Sequence, residues 1–180
     1  MIKIRPITMN DYKYVLNWST DKTFCHANGW KIDRKPEELY DWWFNQVYYS
    51  SREFVRLGIE QDGKLIGYGD MADMKNDTAE LGIAIGESML WGQGIGTKAA
   101  SDLMKYGVKK YGIAKYTAET HENNQRSRKM LEKLGFQETS RAGKEEYLGE
   151  YVQLIQYVLR CKGVITDKVR IQLCMLVLGI

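Results

Sequence analysis

Only two prolines, Pro6 and Pro36, occur in 180 residues. A proline-rich linker is therefore excluded, and no low-complexity stretch divides the chain into parts. The three cysteines, Cys25, Cys161 and Cys174, stand far apart with no Cys-x-x-Cys and no Cys/His pairing. That spacing fits neither a disulfide framework nor a zinc site, so reduced thiols, no metal and a cytoplasmic location are expected. Nowhere does the chain reach the run of ~18 apolar residues that a membrane span requires. The start "MIKIRPITMNDY" has no apolar stretch of signal-peptide length, and no membrane partner is expected. Charge of one sign is also scarce: the net formal charge is +3 and acidic residues are interspersed with basic ones, so nucleic acid is not a predicted partner.

What is present suits one domain with a full hydrophobic core. "MIKIRPI" alternates Ile2, Ile4 and Ile7 with charged residues and halts at Pro6, as a short edge strand does. Thr8 with Asp11 reads as the start of a helix carrying Tyr12, Val15, Leu16 and Trp18. Turn formers fill 19–35, and Pro36 opens a second helix, "PEELYDWWFNQVYY". "FVRLGIE" and "LIGYGDMADM" form a hairpin about Asp62-Gly63, and "NDTAELGIAIG" adds a strand. A helix through Ala100, Leu103, Met104 and Gly107 follows. Then come the strand "AKYTAETHE", the helix "NNQRSRKMLEKL" closed by Gly135, and a strand pair in "FQETSRAG" and "EYVQLIQYVLR". The expected class is α/β (α+β), with a mixed central sheet of about seven strands and helices on its faces.

Between the strand "AELGIAIG" and the next helix lies "WGQGIGTKAA". A Walker loop requires Gly-Lys-Ser/Thr, whereas Gly96 precedes Thr-Lys. A dinucleotide fingerprint requires GxGxxG, whereas Gly92, Gly94 and Gly96 give GxGxG. A plain glycine turn joining strand to helix is the simplest alternative. The flanks favour a different use: successive amides from Gln93 to Thr97 can converge at the positive end of a helix dipole, which suits a pyrophosphate.

With those flanks, "AELGIAIGESMLWGQGIGTKAA" followed by "ENNQRSRKMLEKLGFQE" resembles the GNAT superfamily of acyl-CoA-dependent N-acetyltransferases over residues 1–160. The aromatic-rich N-terminal helices and the "WGQG" form of the loop are most similar to its ribosomal-protein N-acetyltransferase branch. The resemblance implies a mostly antiparallel sheet with helices on both faces. It also implies direct transfer of an acetyl group from acetyl-CoA to a primary amine, either a protein N-terminus or a small molecule. Pantetheine would pair with the backbone near Ile83, Ala84 and Ile85, and the pyrophosphate would sit among Trp91, Gln93, Gly94, Ile95, Gly96 and Thr97. Asn124 and Ser127 would reach the thiol end, unless Asn124 is only a helix cap. Arg126, Arg128, Lys129 and Lys98 are candidates for the phosphates, against the plainer reading of a solvated helix face. Two departures stand out: Trp91 replaces a common Gln or Arg, and Leu131 replaces a tyrosine that many members use as the acid.

For proton transfer, Glu80 is the first candidate base, since strand alternation puts it on one face with the small Gly82 and Ala84. Its alternative is a surface carboxylate paired across the sheet. His121 is the second candidate, or else a turn residue, and Ser127 or water stands in as the acid. Asp70 and Trp30 are candidate acceptor contacts, and Tyr40, Trp42, Trp43, Tyr48 and Tyr49 crowd the acceptor lid, where packing is the plainer role. The apolar tail 161–180 is expected to pack on its own domain or on a second subunit, as in a homodimer. An acyl-CoA-binding regulator with little turnover is the alternative function, and Leu131 is what favours it.

Overall fold

The computed structural model describes residues 1–32, 34–49, 51–147 and 150–161, so the tail's packing lies outside the described residues. Strand β1 (Ile2–Pro6) forms the sheet edge and, among the described residues, pairs only with β2 (Val55–Gln61), where the missing N–H of Pro6 is tolerated. Asp11 accepts from the Thr8 amide at 2.8 Å and takes both ends of the Arg5 guanidinium at 2.7 and 2.8 Å. This fixes the entry to a short turn and to helix α1 (Tyr12–Trp18). A helix that the sequence pattern does not reveal follows, α2 (Lys22–Ala27). At six residues it is too short to show a period, and the Asp21 carboxylate starts it by accepting from the Phe24 amide at 3.0 Å. Helix α3 (Pro36–Tyr48) has its proline in the first turn, as expected.

Asp62 and Gly63, with φ of 51° and 79°, turn β2 into β3 (Lys64–Lys75), and β4 (Thr78–Ile85) pairs antiparallel with β3. Helix α4 (Ile95–Tyr111) crosses over to β5 (Lys115–His121), helix α5 (Gln125–Lys133) follows, and β6 (Gln137–Ser140), β7 (Lys144–Tyr147) and β8 (Glu150–Arg160) complete the sheet. The order is β1-β2-β3-β4-β5-β8-β6, with β7 paired to β8, which makes eight strands among the described residues. The strand beyond the expected seven is β7, whose "KEEY" lacks the apolar alternation that marks a buried strand. All pairs are antiparallel except β4 and β5, whose register covers only Thr78–Lys115, Ala79–Tyr116 and Glu80–Thr117. Beyond Glu80 these two strands part.

Helices cover both faces. Leu81, Leu103, Met104, Tyr116, Leu131 and Ile155 form the core under α4 and α5. On the other face Trp18, Phe24, Leu39 and Trp43 of α1 to α3 pack on Tyr68 and Ala84. The second face has an unusually close approach at Gly86. A Cβ on Gly86 would lie 2.1 Å from the Trp18 ring, which is 1% exposed and whose indole N–H has no acceptor among the described residues. Shape alone thus seats Trp18 against the end of β4. Gly86→Ala is expected to cost about 3 kcal/mol and lower the Tm by roughly 5–10 °C, since a buried indole has no easy route aside. Thermal unfolding checks this, and a drop below about 2 °C would show that the ring can shift.

Candidate active site

The loop after β4 has the conformation that its glycines permit. Gly92 and Gly94 take φ of 80° and 79°, in the left-handed region, and Gly94 immediately precedes α4. The first α4 hydrogen bond runs from the Lys98 amide to the Gly94 carbonyl at 3.1 Å. The amides of Gln93, Gly94, Ile95, Gly96 and Thr97 donate to nothing among the described residues. These five donors, the amide ring expected from the sequence, stand at the positive end of a 17-residue helix, an end that favours an anion.

Beyond Glu80 the edge of β4 turned toward β5 has no strand partner among the described residues, which leaves a slot leading toward the loop. The Gly86 amide donates to the Ile66 carbonyl at 2.8 Å, so by alternation Ala84 also directs its backbone to β3, where it pairs with Tyr68. Ile83 and Ile85 therefore direct theirs to the side that β5 has left. The Ile85 carbonyl is taken at 2.9 Å by the Trp91 indole N–H. Among the three expected pantetheine contacts, the two isoleucines face the slot and Ala84 faces the sheet.

A Cβ on Gly96 would be 3.4 Å from the Met130 sulfur, so α5 rests on the first turn of α4. Asn124 does cap α5, accepting from the Ser127 amide at 3.2 Å, while its NH₂ group and the Ser127 hydroxyl make no hydrogen bond among the described residues. Arg128 is turned away from the ring: it donates to Tyr157 Oη at 3.3 Å and the Glu122 carbonyl at 3.2 Å, and lies 4.0 Å from Glu138. Lys98 pairs with Asp102. Arg126 instead lies 4.2 Å from the Trp91 ring centroid. Leu131 is buried in the α4/α5 core, which explains an apolar side chain there.

Glu80 stands on the α1–α3 face, opposite Ala72 and beside Thr117. Reduced solvation first, then the charges of Glu119 and Asp73, raises its pKa above the ordinary carboxylate value. Asp70 is opposite Gly82 on the same face and is held by Arg56 at 2.6 and 2.8 Å. Arg56 lies 4.1 Å from the Tyr68 ring and 5.3 Å from Trp42, and Trp30 stacks edge-on with Trp42 at 5.2 Å. His121 is roughly 13 Å past the Thr117 level and contacts Glu145 at 3.1 Å, so it is not grouped with Glu80. Tyr40, Tyr48 and Tyr49 face solvent, whereas Trp43 is core.

The sequence reading did not single out Arg56 or Asp21. Asp21 joins the two halves of the site, since its second oxygen accepts from the Ser88 amide at 2.9 Å in the loop that leads to the ring. Burial opposes its charge, but the Ser88 and Phe24 hydrogen bonds prevail and lower its pKa. Its only sequence signal is an Asp placed before a short helix.

Residues 2–137 match the family profile described as acetyltransferase (GNAT) domain. An uncharacterized protein of Methanocaldococcus jannaschii is 32% identical over 153 residues, covering 83% of this chain and 31% of that protein. Alpha/beta-tubulin-N-acetyltransferase 9 of Mus musculus is 34% identical over 136 residues, covering 72% of this chain and 48% of the relative. The chain thus spans less than half the length of both relatives. The crystal structure of spermidine N-acetyltransferase from Vibrio cholerae in complex with CoA and spermine superposes with a TM-score of 0.77 at 15% identity, over 92% of this chain and 98% of that one. At that identity the likeness is one of fold.

Proposed function

The chain belongs to the acetyltransferase (GNAT) family, and we propose that it moves an acetyl group from acetyl-CoA to a primary amine by direct transfer in a ternary complex. The observation that carries this reading is the slot between β4 and β5 ending on the unpartnered amides from Gln93 to Thr97. An extended pantetheine would pair with Ile83 as an added strand does, and its pyrophosphate would meet the amide ring. The Ile83 N–H, directed into the slot, then stands ready to stabilise the oxygen of a tetrahedral intermediate.

Glu80 lies across β4 from this wall, on the acceptor face. Its raised pKa brings it closer to what a base working near neutrality needs, and it would draw the proton from the incoming ammonium through a water. The Asn124 NH₂ group and the Ser127 hydroxyl, at the mouth of α5, would serve the departing sulfur.

Between the two acceptor classes, we favour a peptide amine. The aromatic pocket beside Gly82 already holds Arg56, and Asp70 is its partner, so this carboxylate is not available to a polyamine. The relative at 34% identity is named for a protein acceptor. The test is thiol release: the protein is incubated with acetyl-CoA and either short peptides with open N-termini or spermidine, and free CoA and acceptor mass are followed. Acetylated peptide is expected. Acetylated spermidine alone would reverse the choice of acceptor. CoA binding with no turnover on any amine would establish the regulator instead.

A further inference from the structure

We propose that Arg126, whose guanidinium lies over the Trp91 indole 4.2 Å from the ring centroid, is the side-chain ligand of the cofactor pyrophosphate, with Trp91 as the residue that positions it. The inference rests on the acetyl-CoA reading above and adds a component that the loop itself lacks. None of the loop's own side chains offers an uncommitted cation. The Trp91 N–H is committed to the Ile85 carbonyl, the Gln93 amide folds back on the Met89 carbonyl at 3.0 Å, and Lys98 is paired with Asp102. Without help, an anion there would meet backbone amides and the Thr97 hydroxyl but no cation.

Arg126 supplies that help from the neighbouring helix. Its guanidinium makes no hydrogen bond or ion pair among the described residues, in contrast to Arg128 and Arg141, which are engaged with Glu138 and other partners. It is not idle, because its carbon lies 4.2 Å from the Trp91 ring centroid. A stacked guanidinium keeps its N–H donors in the plane of the group, aimed outward and suited to two oxygens of one phosphate. Trp91 is itself held at the junction of β4 and the loop by its bond to Ile85, and α5 is seated on Gly96 through Met130. The ring therefore places a cation from α5 at the rim of the amide ring.

Calorimetry with CoA, 3′-dephospho-CoA and pantetheine tests this. Arg126→Gln is expected to weaken CoA and dephospho-CoA alike by about tenfold, as for a charge-assisted bond, and to leave pantetheine unchanged. Arg126→Lys recovers only part, since an ammonium keeps the charge and loses the planar stack. Trp91→Phe keeps the aromatic face but loses the bond to Ile85, so it is expected to bind between wild type and Arg126→Gln, and Trp91→Leu with Arg126→Gln is no weaker than the weaker single variant, as for two members of one device. Loss confined to CoA would assign Arg126 to the 3′-phosphate and overturn the proposal, as would no loss at all. A wild-type protein that binds none of the three compounds would instead sink the acetyl-CoA reading. Arg126 is exposed, so an unchanged Tm in Arg126→Gln separates binding from folding.

Discussion

Glu80→Gln is expected to lower kcat for acetyl transfer by about 10²–10⁴ while CoA affinity stays within about twofold. The amide keeps the shape of the carboxylate and cannot take a proton. Glu80 lies on the α1–α3 face, where the acceptor is proposed to bind, and its backbone is directed to Ala72 of β3, not to the proposed cofactor slot, so binding of the donor is not expected to need it. The pH profile carries the sharper test. Reduced solvation and the charges of Glu119 and Asp73 raise its pKa above 4.5, so in the wild type kcat/KM rises with pH through a limb above that value, as the base loses its proton. Glu80→Gln should erase this limb. The effect on stability has the opposite sign. A carboxyl with a raised folded-state pKa favours the native state in its protonated form, and that contribution is lost as pH rises through the raised value. The variant is thus expected to be at least as stable as the wild type at neutral pH. Full activity with an unchanged profile would exclude Glu80 and turn attention to His121.

Gly94→Val is expected to weaken CoA by about a hundredfold without affecting pantetheine. At φ of 79° a β-branched residue is strained, although space is open around the site. The backbone would relieve that strain by rotating, and the amides from Gln93 to Thr97 would no longer point to one place. Titration of both ligands by calorimetry measures the effect. An unchanged CoA affinity would mean that the pyrophosphate lies elsewhere.

Much of this architecture is legible in the sequence because the signals are local. Pro36, Asp62-Gly63 and Gly135 act through their own backbone preferences, and the period of α4 follows from the one face it buries. The glycine loop belongs to the same category, since the φ of Gly92 and Gly94 is a property of the residue type. What escaped depends on distant partners. Nothing near Arg56 says that it will lie under Trp42 and bind Asp70, because that contact joins two strands and a helix. Nothing near Arg126 or Arg128 says which will be drawn to Tyr157 and which will stay at the slot. The helix α2 and strand β7 were missed for a simpler reason, since one is too short and the other too polar to carry a period.

The parting of β4 and β5 places an edge in the interior of the sheet. Outer edges are hazards because any extended chain can add to them and begin aggregation. Here the faces above and below Ile83 and Ile85 are already filled, by Trp18 and Tyr68 on one side and by Ile95 and Ala99 on the other. An invading strand would have to lodge alternate side chains in that occupied space, which a thin chain of amides and methylenes has no need to do. On the acetyl-CoA reading, the same unpaired backbone would accept a thin cofactor chain more readily than a strand of another protein.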